Sequence, residues 1–266
     1  MIVRLERTFF FEAAHRLALD YLTDRENESL FGRKAGRYGH GHNYEGSITI
    51  RGPIDPRTEF LMNIADLDEI IRSVIHPLDH KYLNLDVEYF RGRNPTCEAV
   101  AEYLFAELSQ RLPAEKLLLR EDPSTSVEYQ GEETPMYLTR SFTFSAAHRL
   151  QSGALSEEEN TAIFGKCNNP FGHGHNYELE VTLQGRPDGT TGLLAPLGSI
   201  DAVVRREVLE PMDCRHLNEE IAEFRVLNPT SENLVVVIWN RLAPHLPLHR
   251  LRLWETRKSC FEYRGE

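Results

Sequence analysis

The chain has 266 residues, 41% of them hydrophobic, and a formal net charge of −11. Its length is about twice that of a common domain, so two hydrophobic cores are expected. The acidic balance argues against nucleic acid or an anionic membrane as a partner. Four scattered cysteines do not form a disulfide framework, and no apolar run is long enough to span a membrane, so we expect a cytoplasmic protein.

The predicted elements form the same series twice along the chain. In the first half, strands are predicted at 2–15 and 42–52, helices near 66–76 and 97–111, and closing strands near 115–131. In the second half, strands are predicted at 137–148 and 175–184, helices near 201–210 and 231–242, and closing strands near 249–264. Asp66 and Glu69 suggest a capping box, and Thr230 stands at an expected N-cap. Each half is therefore expected to be an α+β unit with a four-stranded antiparallel sheet and two helices on one face.

Two short sequence motifs occur in both halves of the chain. The six residues from Gly39 to Tyr44 reappear letter for letter from Gly172 to Tyr177. The phrase AAHRL at 13–17 reappears at 146–150 with the same offset of 133 residues. We therefore interpret the chain as a tandem duplication, with one unit at 1–133 and the other at 134–266.

Each copy carries three histidines at matching positions. The two sets are His15, His40 and His42, and His148, His173 and His175. Residues two apart in a strand share a face, so each His-Gly-His pair points to one side and can meet the histidine of a paired strand. Three imidazoles with an open fourth position are the ligands of a catalytic zinc site, although iron and cobalt stay open.

Further motifs resemble those of the 6-pyruvoyltetrahydropterin synthases. They are a cysteine, Cys167, separated by five residues from His173-Gly174-His175; the pair Asp79-His80; the segment Pro95-Thr96-Cys97-Glu98; and a late glutamate, Glu255. The resemblance covers nearly the whole chain, taken as two units of the tunnelling fold (T-fold). It implies a zinc-dependent carbon–oxygen lyase that removes triphosphate from 7,8-dihydroneopterin triphosphate.

The resemblance also assigns roles to particular residues. It implies that Cys167 is the base and that Asp79 and His80 form an oriented acid/base pair. It implies that Glu121 and Glu255 anchor the pterin's guanidine-like edge, because a carboxylate can accept two parallel hydrogen bonds there. Thr96 and Thr230, in the Pro-Thr-x-Glu segments, are the other expected substrate-binding residues.

Each half departs from the family pattern at one position. Lys34 stands where the first half should carry its cysteine, and Cys214 stands where the second half should carry its histidine. Since the family assembles its triad across subunits, we predict one intact site that combines Cys167 with Asp79 and His80 of the other half. The alternative is independent decay of both halves. We expect Lys34 itself to be a solvated surface lysine rather than a cation in the lost site.

Two other functions stay open at this stage. One is a 6-carboxytetrahydropterin synthase of queuosine biosynthesis, although the five-residue spacing before the His-Gly-His motif favours the pyruvoyl type. The other is a degenerate pterin-binding protein without turnover. Because the family closes exposed sheet edges into rings of three units and stacks two rings, we expect a homotrimer with six T-fold units.

Overall fold

The computed structural model describes residues 1–266, which divide into two compact units. The first comprises Met1–Thr139 together with Gln184–Gly198, and the second comprises Arg140–Leu183 with Ser199–Glu266. A segment of the second sequence repeat therefore packs with the first unit. None of the helices combines the length and the apolar composition that a membrane span requires.

The first unit is built on four long strands and one very short strand. In chain order its elements are β1 (Ile2–His15), α1 (Asp24–Phe31), β2 (His40–Pro53), α2 (Ile64–Ile75), β3 (Lys81–Tyr82), α3 (Leu83–Asp86), α4 (Cys97–Ser109), β4 (Ala114–Asp122) and β5 (Thr125–Tyr129). β1 pairs antiparallel with β2, β2 with β4 and β4 with β5, while β3 lies parallel to β1. α4 packs against β4 and β5, and α2 packs against α4.

The second sequence repeat carries the same series, and most of it forms the second unit. Its elements are β6 (Met136–His148), α5 (Glu157–Phe164), β7 (His173–Gly185), α6 (Leu197–Val204), α7 (Glu210–Met212), β8 (Arg215–His216), α8 (Leu217–Glu220), α9 (Ser231–Leu242), β9 (Leu248–Thr256) and β10 (Ser259–Tyr263). β7 pairs with β9 and β9 with β10, both antiparallel, and β8 lies parallel to β6. Each repeat contributes four strands of five or more residues and one two-residue strand, which lies parallel to the first strand of that repeat.

The alternation predicted for β1 is confirmed. Phe9, Phe11, Ala13 and His15 are all buried, whereas the residues between them are more exposed. Phe11 and Tyr44 on the neighbouring strand stack with ring centroids 4.7 Å apart. This apolar layer lies beside the histidines and fixes the register of the two strands that carry them.

The helix termini correct two predictions. α2 begins earlier than expected, and its N-cap is Asn63, whose side chain accepts from the Ala65 amide, so the capping box at Asp66 was wrong. The short helices α1 and α5 were missed, although each has a true capping box, at Thr23 and at Ser156. Thr230 is the N-cap of α9, as predicted.

The helix predicted at 201–210 is interrupted by a π-helical stretch, Arg205–Leu209. Pro211 follows it and has no amide hydrogen, so it cannot bond the carbonyl of Glu207 four residues earlier. That carbonyl instead accepts a hydrogen bond from the Arg241 guanidinium at 3.1 Å. The wide turn therefore follows from the proline, with Arg241 satisfying the carbonyl that the proline leaves free.

Candidate metal centre and catalytic residues

Each unit brings its three predicted histidines together at the end of two paired strands. In the first unit, His15 lies opposite His40 in the register of β1 and β2, and His42 lies opposite Ala13. The ligand nitrogens of the three histidines lie within 4.8 Å of one another, and the same holds for His148, His173 and His175. Strand parity, with the pairing of the two strands, had predicted this convergence.

The central histidine of each triad is held by a backbone carbonyl. His15 Nδ1 lies 2.6 Å from the carbonyl oxygen of Pro95, and His148 Nδ1 lies 2.7 Å from that of Pro229. A donor at Nδ1 leaves the Nε2 lone pair directed at the other histidines, as in metal-bound imidazoles. Burial lowers the pKa of His15 to about 4 and also lowers the pKa of His148, so both rings are kept in the neutral form that binds metal.

The donor set fits a metal ion in each unit. Nε2 of His42 and Nε2 of His175 are buried and have no hydrogen-bond partner. The Nε2 atoms of His15 and His40 lie 3.1 Å apart, and those of His148 and His173 lie 3.2 Å apart. Two nitrogens on a tetrahedral zinc are separated by about 3.3 Å, given bonds of about 2.0 Å. Three neutral imidazoles converging at this spacing could hold one ion per unit.

A glycine immediately before each His-Gly-His pair allows the chain to turn into the site. Gly39 has a φ of +72° and Gly172 a φ of +74°, a region that other residues rarely adopt. A Cβ at Gly172 would lie 2.9 Å from the His148 carbonyl oxygen and 2.7 Å from Nε2 of His216. Glycine is therefore required here by both conformation and space, which the repeated motif reflects.

A carboxylate from the closing hairpin reaches each triad, at the positions predicted to anchor pterin. Glu121 Oε1 lies 3.5 Å from Nε2 of His15, and Glu255 Oε1 lies 3.6 Å from Nε2 of His175. The surroundings of the two carboxylates differ. The Glu121 side chain is fully buried, whereas 23% of the Glu255 side chain is exposed and its Oε1 accepts a 2.9 Å hydrogen bond from the Ser231 hydroxyl.

Residues 34 and 167 occupy equivalent places in the two units. The backbone carbonyl of Lys34 accepts from the Leu17 amide at 3.0 Å, and that of Cys167 accepts from the Leu150 amide at 2.9 Å. Cys167 is half-buried at this position. Lys34 is not the solvated lysine that we predicted, because its ammonium forms an ion pair with Glu121 and only 21% of its side chain is exposed. This ion pair lowers the pKa of Glu121 although burial acts in the opposite direction.

Asp79 and His80 lie together on the surface of the first unit. Nδ1 of His80 is 3.0 Å from Asp79, and its Nε2 is 3.1 Å from Glu12, a residue that the sequence did not single out. The Glu12 amide donates to Asp79 at 3.0 Å and, with the His80 contact, lowers the pKa of that carboxyl. Ser145 stands at the equivalent position of the other repeat. The difference between a carboxylate and a hydroxyl at this position was the one sequence signal that could have pointed to Glu12.

The second unit has lost this imidazole. Cys214 takes the place of His80, with the same left-handed φ of +57°. Its thiol lies 3.8 Å from the Asp213 carboxylate, which still accepts from the Ser145 amide at 2.8 Å. The backbone of the acid/base pair is therefore retained in both units, and only the first unit keeps the titratable ring.

The two threonines predicted to bind substrate are both helix N-caps. Thr96 accepts from the Ala99 amide and donates to the Gly192 carbonyl at 2.8 Å. Nearby, the buried Glu98 accepts from the Leu194 amide at 2.9 Å, which ties the segment Gln184–Gly198 to the first unit. Thr230 accepts from the Asn233 amide at 3.3 Å.

Known proteins resemble each half of the chain separately. The family model for 6-pyruvoyl tetrahydropterin synthase matches residues 4–132 and again 137–266. The human 6-pyruvoyl tetrahydrobiopterin synthase is 38% identical over 144 residues, which are 53% of this chain and 99% of the human protein. The Poecilia reticulata protein of the same name is 43% identical over 133 residues, 49% of this chain and 90% of that protein. The solved Caenorhabditis elegans 6-pyruvoyl tetrahydropterin synthase has 37% identity and a TM-score of 0.47, covering 49% of this chain and 95% of its own.

Proposed function

The chain belongs to the 6-pyruvoyl tetrahydropterin synthase family as a tandem duplication of its unit, and from this premise we propose that it is a metal-dependent lyase acting on a pterin triphosphate. The proposed substrate is 7,8-dihydroneopterin triphosphate, and the proposed reaction eliminates triphosphate and rearranges the side chain by proton transfers. The proposed metal is zinc, the usual partner of three imidazoles.

The observation that carries this proposal is the arrangement in the second unit. Three converging histidines, a half-buried cysteine and a partly exposed carboxylate come from separate elements of one unit. Glu255 would accept two hydrogen bonds from the amino-pyrimidine edge of a pterin, with Ser231 holding one of its oxygens. The carboxylate thereby fixes the substrate's orientation relative to the histidines.

The remaining residues move protons. A bound metal would polarise the side-chain oxygens of the substrate and acidify the neighbouring C–H bonds. Cys167 would take a proton from one carbon and return it to another. Nδ1 of His80 lies beside the Asp79 carboxylate, which would orient the ring, and Nε2 would serve as the second acid/base group once it gives up its contact with Glu12.

Cys167 belongs to the second unit and His80 to the first, so we propose that the working site combines groups from the two kinds of unit. Support comes from complementary loss: the half without the cysteine keeps Asp79-His80, and the half without the histidine keeps Cys167. Random decay would also have replaced metal ligands, yet all six histidines of the two triads are present. A homotrimer, with six units, is the proposed assembly.

A pterin-binding protein without turnover is the second candidate, and the ion pair between Lys34 and Glu121 favours it for the first unit. Substitution separates the two functions. Triphosphate release by the zinc-loaded chain should be lost in Cys167→Ala and in His80→Asn, where asparagine suits the left-handed φ. Cys260→Ala and His76→Asn, both at exposed positions, are the matched controls. Equal release by Cys167→Ala and Cys260→Ala would refute the assignment.

A further inference from the structure

The first unit carries its own cation on the carboxylate predicted to anchor pterin. The Lys34 ammonium pairs with Oε2 of Glu121, whose side chain is fully buried. The other carboxylate oxygen, Oε1, faces His15 and His42 at 3.5 and 3.7 Å. Both oxygens of Glu121 are thus directed at groups of this chain, and neither faces open solvent.

The equivalent carboxylate of the second unit has no such cation. Cys167 takes the place of Lys34, and Glu255 instead accepts from the neutral Ser231 hydroxyl. Cys97 is the equivalent of Ser231 in the first unit. Its thiol is directed at the Leu119 carbonyl, 3.8 Å away, rather than at Glu121. The repeats therefore differ in both residues that surround the anchoring carboxylate.

We propose that Lys34 determines which of the two sites binds pterin, by occupying Glu121 so that the second unit alone accepts this ligand. The inference rests on the proposed function, because it assigns pterin binding to Glu255. A chain then binds one pterin, although it contains two histidine triads.

The reason is electrostatic. A pterin edge could bind Glu121 only by displacing Lys34, which would leave an ammonium without its partner in a largely desolvated site. Breaking such a buried pair carries a large penalty, which weakens binding at the first unit by about a hundredfold or more relative to the second. A short neutral residue at position 34 removes both the competing cation and its bulk.

Counting bound pterin tests this directly. Equilibrium dialysis of the purified, zinc-loaded full chain against neopterin should give one pterin per chain for the wild type and none for Glu255→Gln. Lys34→Ala should bind two, and Lys34→Ala combined with Glu255→Gln should bind one, now at the first unit. Lys258→Met, at an exposed lysine, is the control and should bind one.

Several outcomes would overturn the inference. Two pterins per wild-type chain would do so, as would one pterin retained by Glu255→Gln with Lys34 intact. A folded Lys34→Ala that still binds one would do the same. If Lys34→Ala does not fold, the number of pterins bound by Glu255→Gln decides. Lys34→Arg, which keeps the cation, should still bind one pterin per chain. No binding by the wild type would overturn the proposed function together with this inference, whereas two would overturn the inference alone.

Discussion

The buried carboxyl of Glu98 makes the stability of the first unit depend on pH. Burial raises its pKa from 4.5 to about 7, although the hydrogen bond from the Leu194 amide acts in the opposite direction. The folded chain therefore keeps this proton up to about pH 7, whereas the unfolded chain releases it near pH 4.5. The contribution of this carboxyl to folding stability is therefore fully present below pH 4.5 and is lost as the pH rises through 7.

Glu98→Gln removes this titration and keeps an oxygen that can accept from Leu194. Between pH 5.5 and 8.5 the wild type should lose about 2 kcal/mol of unfolding free energy relative to this variant, from linkage with the two pKa values. Urea unfolding followed by circular dichroism at both pH values measures the difference. Glu133→Gln, at an exposed carboxylate, is the control and should show no such change. A gap between wild type and Glu98→Gln that stays constant with pH would refute the reasoning.

Three further predictions concern the metal centres and the site backbone. Metal analysis should find two ions per wild-type chain and one in either His15→Ala or His148→Ala; retention of both ions by either variant would contradict the ligand assignment. Gly172→Ala should lower the unfolding free energy by about 1–3 kcal/mol, because the left-handed φ and the nearby His148 carbonyl leave no room for a methyl group. Gly189→Ala, where a methyl group would meet open space, is the control and should change the unfolding free energy little in the same urea titration. Ser231→Ala should weaken neopterin binding several-fold by freeing Glu255 to take other orientations, and unchanged affinity in equilibrium dialysis would exclude this role.

Local patterns predicted much of the fold. The period-two alternation in β1 and the spacing of His40 and His42 placed three histidines on one side of a strand pair, and the structure brings them together. The same signal could not locate α1, because its eight residues are mostly polar. The π-helical stretch depends on the Glu207 carbonyl, which accepts a hydrogen bond from Arg241. These two residues are 34 positions apart, and hydrophobic periodicity cannot predict a contact of that kind.

The candidate site was predictable where the repeats agree and less so where they differ. The sequence predicted an ordinary surface lysine at Lys34, because its partner, Glu121, lies 87 positions away on β4. Glu12 was missed for the same reason, since its contact with His80 arises only when β1 passes beside the turn after α2. Such long-range pairs depend on the fold, and one sequence without its structure gives little sign of them.

Product analysis of the zinc-loaded chain with 7,8-dihydroneopterin triphosphate, read by mass spectrometry and by triphosphate release, is the decisive experiment on the proposed activity. A working lyase should release stoichiometric triphosphate and form a 6-pyruvoyl tetrahydropterin product. A carboxytetrahydropterin product with acetaldehyde would instead assign the chain to the queuosine branch. Pterin bound without any triphosphate release would contradict the central claim that the two altered halves together form a working lyase.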